Sequence, residues 1–119
     1  MRDFKTLAVW QKAHQLTLDI YQSTEQFPKE EHFGLTSQIR RACASIPMNI
    51  AEGCGRSSDP EFAHFLSIAM GSASELEYQL LLTRDLGLLS QVDYDRLEPA
   101  LIEVKRMLNG FIRKLKANR

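Results

Sequence analysis

The sequence predicts an all-α protein, an antiparallel up-down-up-down four-helix bundle with a kinked second helix. Three observations predict it. Apolar residues recur with a helical period along nearly the whole chain, and no strand-like alternation competes with it. Helix-stopping residues divide the pattern into four stretches of similar length. The connections between them are short, which favours antiparallel neighbours. At 119 residues the chain makes one domain with one core.

The first helix is expected from about Thr6 to Gln26, with Trp10, Ala13, Thr17, Ile20, Tyr21, Thr24 and Phe27 on one face and Pro28 as its stop. The second is expected to begin near Lys29, where Glu30 and Glu31 suit the positive end of a helix dipole. Its stripe is Leu35, Ile39, Ala42, Ile46 and Ile50. An interior proline costs roughly 3 kcal/mol, yet the stripe continues through Pro47 in phase, so one kinked helix is expected rather than two. Gly53 and Gly55 are expected to end it.

The third helix has the clearest start: Asp59 as N-cap, Pro60 at the first helical position, then Glu61. Phe62, Phe65, Leu66, Ala69, Ala73, Leu76, Leu80 and Thr83 form its buried side, and Gly87 stands where a C-terminal glycine belongs. The fourth starts at Ser90, with Asp93 completing a variant of the capping box. Leu97, Leu101, Val104, Leu108, Phe111 and Leu115 recur in steps of three and four, and Pro99 is expected to bend the early turns. Helices of about 20 to 28 residues measure roughly 30 to 42 Å.

A hydrophobic content of 44% and a charged content of 25% are ordinary for a soluble globular protein and argue against disorder. No window approaches the roughly 18 apolar residues of a membrane span, and the opening Met1-Arg2-Asp3-Phe4-Lys5 is too charged for a signal peptide. A cytoplasmic protein without membrane association is expected. Fifteen basic residues balance fifteen acidic ones, which weakens any bulk attraction to nucleic acid. The charge is uneven, however: six basic residues and no acidic one fall between Val104 and Arg119. Cys43 and Cys54, on one helix, stand roughly 16 Å apart along its axis, beyond the reach of about 7 Å between Cα atoms that a disulfide requires. They are expected to be free.

Catalytic and metal chemistry finds no pattern. Two distant cysteines and three scattered histidines make no zinc cluster. Di-iron bundles need a Glu-x-x-His pair on two helices, and only Glu61 with His64 matches. No glycine-rich phosphate loop is present. Cys43 with His14 or His64 has no supporting spacing and reads as a small core thiol. A non-enzyme without cofactor or metal is expected.

The feature that core filling does not explain is polar. Arg41, Ser45, Asn49, Glu52 and Arg56 follow at steps of four, four, three and four along one line of the second helix. The third helix offers Ser67, Gly71, Ser74 and Glu75, with Ser72 beside them. A hairpin centred near Ser58 sets Arg41 near Glu75, Ser45 near Gly71, Asn49 near Ser67 and Glu52 near His64. Buried polar groups require partners, so a structural network, inside the bundle or at a subunit contact, is favoured over a ligand site or a solvated face.

The phrases Leu7-Ala8-Val9-Trp10-Gln11-Lys12-Ala13, Phe33-Gly34-Leu35-Thr36-Ser37-Gln38-Ile39-Arg40-Arg41-Ala42, Ser45-Ile46-Pro47-Met48-Asn49-Ile50-Ala51-Glu52-Gly53, Glu61-Phe62-Ala63-His64-Phe65-Leu66 and Gly71-Ser72-Ala73-Ser74-Glu75-Leu76-Glu77 resemble the 23S rRNA intervening-sequence protein family, also called the four-helix bundle protein family. The resemblance covers nearly the whole chain. It implies an antiparallel bundle that assembles into a homo-oligomer, typically a ring of five, and an association with rRNA genes. A more distant likeness is to the accessory variability protein of diversity-generating retroelements, which binds a reverse transcriptase and nucleic acid. That relative is strongly basic and this chain is neutral.

Two functions compete. The first is a homo-oligomeric scaffold or adaptor, since Leu81, Leu82, Leu88, Leu89, Ile102 and Met107 exceed what one inward stripe needs. The second is RNA or DNA binding through Lys105, Arg106, Arg113, Lys114, Lys116 and Arg119, although those cations also suit the negative end of a helix dipole. A small-molecule site along the polar line from Arg41 to Glu75 is a third, weaker reading.

Overall fold

The computed structural model describes residues 2–117. A 3-10 turn at Phe4–Thr6 leads into α1 (Ala8–Ser23), and a second at Lys29–Glu31 precedes α2 (Leu35–Cys54), α3 (Asp59–Asp85) and α4 (Gln91–Ala117). The described residues contain no strand. Each helix packs on its sequence neighbours and α1 closes the ring against α4. Cross-links between α1 and α4 run antiparallel: Lys12 pairs with Glu103 at 3.0 Å, and Arg96 donates to Ser23 Oγ at 3.0 Å. The result is an up-down-up-down four-helix bundle measuring 47 × 23 × 20 Å.

Local chemistry moves several expected boundaries. α1 starts at Ala8 because Asp3 caps a separate turn, its carboxylate accepting from the Lys5 N–H at 3.1 Å. α2 starts at Leu35, not near Lys29. Residues 29–31 spend their backbone on the 3-10 turn, and Gly34, at φ −109° and ψ −113°, redirects the chain. The N-cap of α3 is Ser58 and not Asp59: its hydroxyl accepts from the Glu61 N–H at 3.3 Å and donates to Glu61 Oε1 at 3.1 Å. This reciprocal box makes Asp59 and Pro60 the first helical residues. Ser90 Oγ likewise accepts from the Asp93 N–H at 3.1 Å to open α4.

Gly87 fulfils its expected role. At φ +79° it lets the Leu88 N–H reach Thr83 O at 2.9 Å while its own N–H reaches Arg84 O at 3.0 Å, a Schellman end. Gly53, by contrast, lies inside α2. A Cβ there would stand 2.6 Å from Phe62 Cδ1 and 3.2 Å from Phe65 Cβ, so the residue serves close approach of α2 to α3 rather than helix ending. α2 continues through Pro47, and α4 through Pro99.

The core is one cluster drawn from all four helices, including Leu16, Ile20, Ile46, Ile50, Phe62, Leu66, Leu76, Leu80, Leu101 and Leu108. The buried face of α1 is Val9, Ala13, Leu16, Ile20 and Ser23. The expected α1 stripe therefore merged two lines, since Tyr21 is exposed and Trp10 and Thr17 are half-buried. On α4, Ile112 takes the buried place expected of Phe111, which packs half-buried against Phe62 with ring centroids 5.2 Å apart. Cys43 and Cys54 are buried free thiols.

Candidate functional site

The expected polar line forms only in part. Ser45 Oγ and Ser72 Oγ are 2.8 Å apart across the α2–α3 seam, and Asn49 Nδ2 donates to Ser45 O at 2.8 Å and Ser45 Oγ at 3.0 Å. Of the four expected pairs this one lies within a residue of the expected register, with Ser72 rather than Gly71 as the partner of Ser45. The remaining members turn elsewhere. Glu52 pairs with Arg56 at 3.5 Å on its own helix and not with His64. The Arg56 guanidinium sits 4.7 Å from the Phe65 ring centroid. Ser67 Oγ donates to Ala63 O at 3.0 Å, one turn back, instead of meeting Asn49.

Glu75 is exposed and accepts from Gln79 Nε2 at 3.5 Å. Among the described residues no ion pair joins it to Arg41. Arg41 instead lines a hollow with Tyr21, His32 and Phe33, on the α1 side of α2. Gly71 and Ser74 are exposed, and a Cβ on Gly71 would meet nothing within 4 Å. The line is a short hydrogen-bonded seam with a solvated margin.

Of the basic residues near the C-terminus, Lys105 is bound to Glu77 at 2.6 Å. Arg106, Arg113, Lys114 and Lys116 are exposed and make no ion pair among the described residues. Arg119 lies outside the described residues. The topology adds to them. The start of α1, the end of α2, the start of α3 and the end of α4 share one end of the bundle, where the Arg2 N–H donates to Cys54 O at 3.0 Å. Arg2, Lys5 and Arg56 thus join Arg113, Lys114 and Lys116, together with the carboxylates Asp3, Glu52, Asp59 and Glu61, of which Asp59 stands 4.0 Å from Arg2 and Glu52 3.5 Å from Arg56.

Surplus apolar residues divide similarly. Leu89 is buried in the chain's own core, and Leu88 and Met107 pack against it. Leu82 and Ile102 are half-buried and Leu81 is exposed. Sequence reasoning missed a groove on the outer side of the α1–α2 seam, about 320 Å³ in volume, lined by Phe4, Trp10, His14, Thr17, Ala44, Pro47, Met48 and Ala51. Trp10 and His14 stack at 4.9 Å with planes 7° apart, and Met48 is 67% exposed. The signal was the second line on α1, Trp10, His14, Thr17 and Tyr21, at steps of four, three and four. α3 also faces outward with Ile68, Tyr78 and Leu81, which makes it the least amphipathic of the four helices.

The chemistry of nucleophiles is weak here. Burial pushes the Cys43 thiol up to about 11, opposed by the Thr17 hydrogen bond, and burial raises Cys54 as well. Among the described residues no group of three or more His, Cys, Asp or Glu could hold a metal ion, and no helix is long and apolar enough to cross a membrane.

Comparison with known proteins agrees with this architecture. The sequence model of a family described as 23S rRNA-intervening sequence protein matches residues 5–110. A solved structure from Bacteroides thetaiotaomicron, described as a protein with unknown function from the S23 ribosomal protein family, superposes with a TM-score of 0.80 at 26% identity, covering 88% of this chain and 98% of that one. No curated protein matches.

Proposed function

The chain belongs to the 23S rRNA-intervening sequence protein family, and from that footing we propose that it is a non-catalytic, cytoplasmic scaffold or adaptor that assembles into a homo-oligomer, a ring of five by the family resemblance. The observation that carries this reading is the pair of apolar faces the single chain leaves open. One is the α1–α2 groove with Met48 and Trp10; the other is the outward side of α3 with Ile68, Tyr78 and Leu81. Two different faces on one chain suit a heterologous contact, which generates a closed ring when the rotation closes. The raised thiols support a binding role over covalent catalysis. The test is complementation. Met48→Glu and Tyr78→Glu each leave one face intact, so each variant alone is monomeric and an equimolar mixture forms a heterodimer. A mixture that stays monomeric, or single variants that keep the parent mass, contradicts the reading.

A second reading is supported by the unpaired cations of α4. Arg113, Lys114 and Lys116 form a basic patch at the end of α4 that a ring would multiply, while Arg2 and Arg56 at the same end are paired with Asp59 and Glu52. Contacts to RNA or DNA there are to phosphate and independent of sequence, so affinity falls steeply with salt. Binding to single-stranded RNA that is absent at low salt, or that survives reversal of Arg113, Lys114 and Lys116 to Glu, contradicts it. Association with rRNA or a reverse transcriptase belongs to this reading.

A further inference from the structure

We propose that the outward side of α3 from a second copy lies along the α1–α2 seam, its Glu75 paired with Arg41 and its Ile68 packed on Met48. The two copies stand side by side about an axis parallel to the helices. The register rests on self-association of the chain and specifies how the copies meet.

The seam offers a trough longer than the groove alone. The groove beside Trp10 and Met48 reaches Thr17 and Ala44. One turn further along both helices, at Tyr21 and Arg41, a second hollow of about 390 Å³ begins and extends to Phe33. The α2 edge of this trough is Arg41, Ala44, Met48 and Ala51, at steps of three, four and three. α3 carries a matching line on its outward side: Ile68, Gly71, Glu75 and Tyr78, also at steps of three, four and three.

The two lines agree in height as well as in spacing. Ser45 and Ser72 meet across the α2–α3 seam at 2.8 Å and so mark one level of the bundle. The helices are antiparallel, so Met48 is level with Ala69, next to Ile68, and Arg41 is level with Leu76, next to Glu75. One residue is about 1.5 Å of height. Within the chain these pairs point apart: Met48 and Arg41 lie on the α1 side of α2, and Ile68 and Glu75 are exposed on α3. A rotation about an axis parallel to the helices changes no height. The same pairs are therefore level when the trough of one copy faces α3 of the next, a heterologous contact of the kind that closes rings.

Charge identifies the occupant. Arg41 and Glu75 are exposed, and neither makes an ion pair among the described residues. Between copies they become a level pair of opposite sign. Glu52, Asp85 and Arg40, which flank these lines, are engaged within the chain by Arg56, Arg84 and Thr24. The apolar members fit the same register. With Ile68 on Met48, Tyr78 stands level with Ile39, beside the hollow of Tyr21 and Phe33. A large exposed aromatic ring on each copy is then covered by the other, since Phe33 is 93% and Tyr78 61% exposed in the single chain. Equal spacing, equal height and opposite charge on two faces of one sequence select a second copy over an unrelated helix.

Charge exchange tests the pairing, read as subunit dissociation by sedimentation or native mass spectrometry. Arg41→Glu and Glu75→Arg should each raise the dissociation constant about tenfold or more, because like charges then face each other. The double exchange should restore it to within about threefold of the parent. Circular dichroism should be unchanged in all three, since neither side chain forms an ion pair within the chain. The register is read by disulfide formation in air. A mixture of Met48→Cys and Ile68→Cys should give a linked dimer that neither variant gives alone, and Met48→Cys mixed with Leu81→Cys should give none. A parent that associates while both single charge variants keep its dissociation constant overturns the pairing and leaves self-association standing. A link to position 81 in place of 68 overturns the parallel register. A monomeric parent removes both.

Discussion

The Thr17 hydroxyl of α1 lies 3.4 Å from the carbonyl oxygen of Cys43 in α2, the carbonyl that Pro47 leaves without its helical donor. A proline has no N–H, so the acceptor four residues back is orphaned. The single hydroxyl proton of Thr17 is shared, with Ala13 O at 2.8 Å as the nearer acceptor, and the Cys43 thiol donates to the same oxygen at 3.5 Å. The neighbouring helix thus answers part of the cost of an interior proline, and α2 passes through it unbroken.

Removing that hydroxyl tests the relationship. Thr17→Val should cost about 1 kcal/mol of stability, the usual worth of such a hydrogen bond. In a Pro47→Ala background, where residue 47 regains an N–H for Cys43 O, the same change should cost less. A coupling of about 0.5 kcal/mol or more in a urea double-mutant cycle checks this.

Gly53 and Gly71 should respond in opposite directions to alanine. At Gly53 the added methyl meets the Phe62 ring and the Phe65 Cβ, so Gly53→Ala should destabilise by about 1 to 3 kcal/mol, as overpacking does. At Gly71 the space is open, and Gly71→Ala should stabilise by up to about 1 kcal/mol through helix propensity. Thermal melting of the two variants checks both signs.

The two ends of α3 show what was legible in the sequence. Local chemistry reads well: Pro60 and Gly87 marked the ends of α3 because caps depend on residues within a turn of each other. Hairpin arithmetic set Ser45 against Gly71, one residue from the Ser72 that it meets. Faces read less well. On α1 the core line through Leu16 and the surface line through Trp10 and Tyr21 are both apolar, and period alone does not say which one the chain covers itself. Arg41 could reach either neighbouring helix, and the turn that bends His32 and Phe33 toward it draws it to α1. The α1–α2 hollow was not foreseen, because it depends on where an irregular turn lies against a helix start, which no periodicity encodes.

The Cys43 thiol makes stability depend on alkaline pH. Its value rises from 9.0 to about 11 in the folded protein, chiefly by burial. An acid group held protonated by folding contributes fully below its unfolded value, and that contribution is lost as pH rises toward the folded value. Between pH 9 and about 11 the parent should therefore lose on the order of 2 to 3 kcal/mol relative to Cys43→Ala. Denaturation of the two proteins across that window measures the difference; parallel curves would show that the thiol ionises without resistance. Alkylation of native Cys43 at pH 8 should be far slower than after unfolding.

Self-association is the claim on which the scaffold reading stands, and the mass of the native protein at micromolar concentration tests it most directly. Light scattering or native mass spectrometry should find a multiple of the 13.6 kDa chain, five-fold for the ring implied by the family resemblance, and Met48→Glu should reduce it while leaving the helical signal intact. A parent protein that runs as a 13.6 kDa monomer would contradict the account.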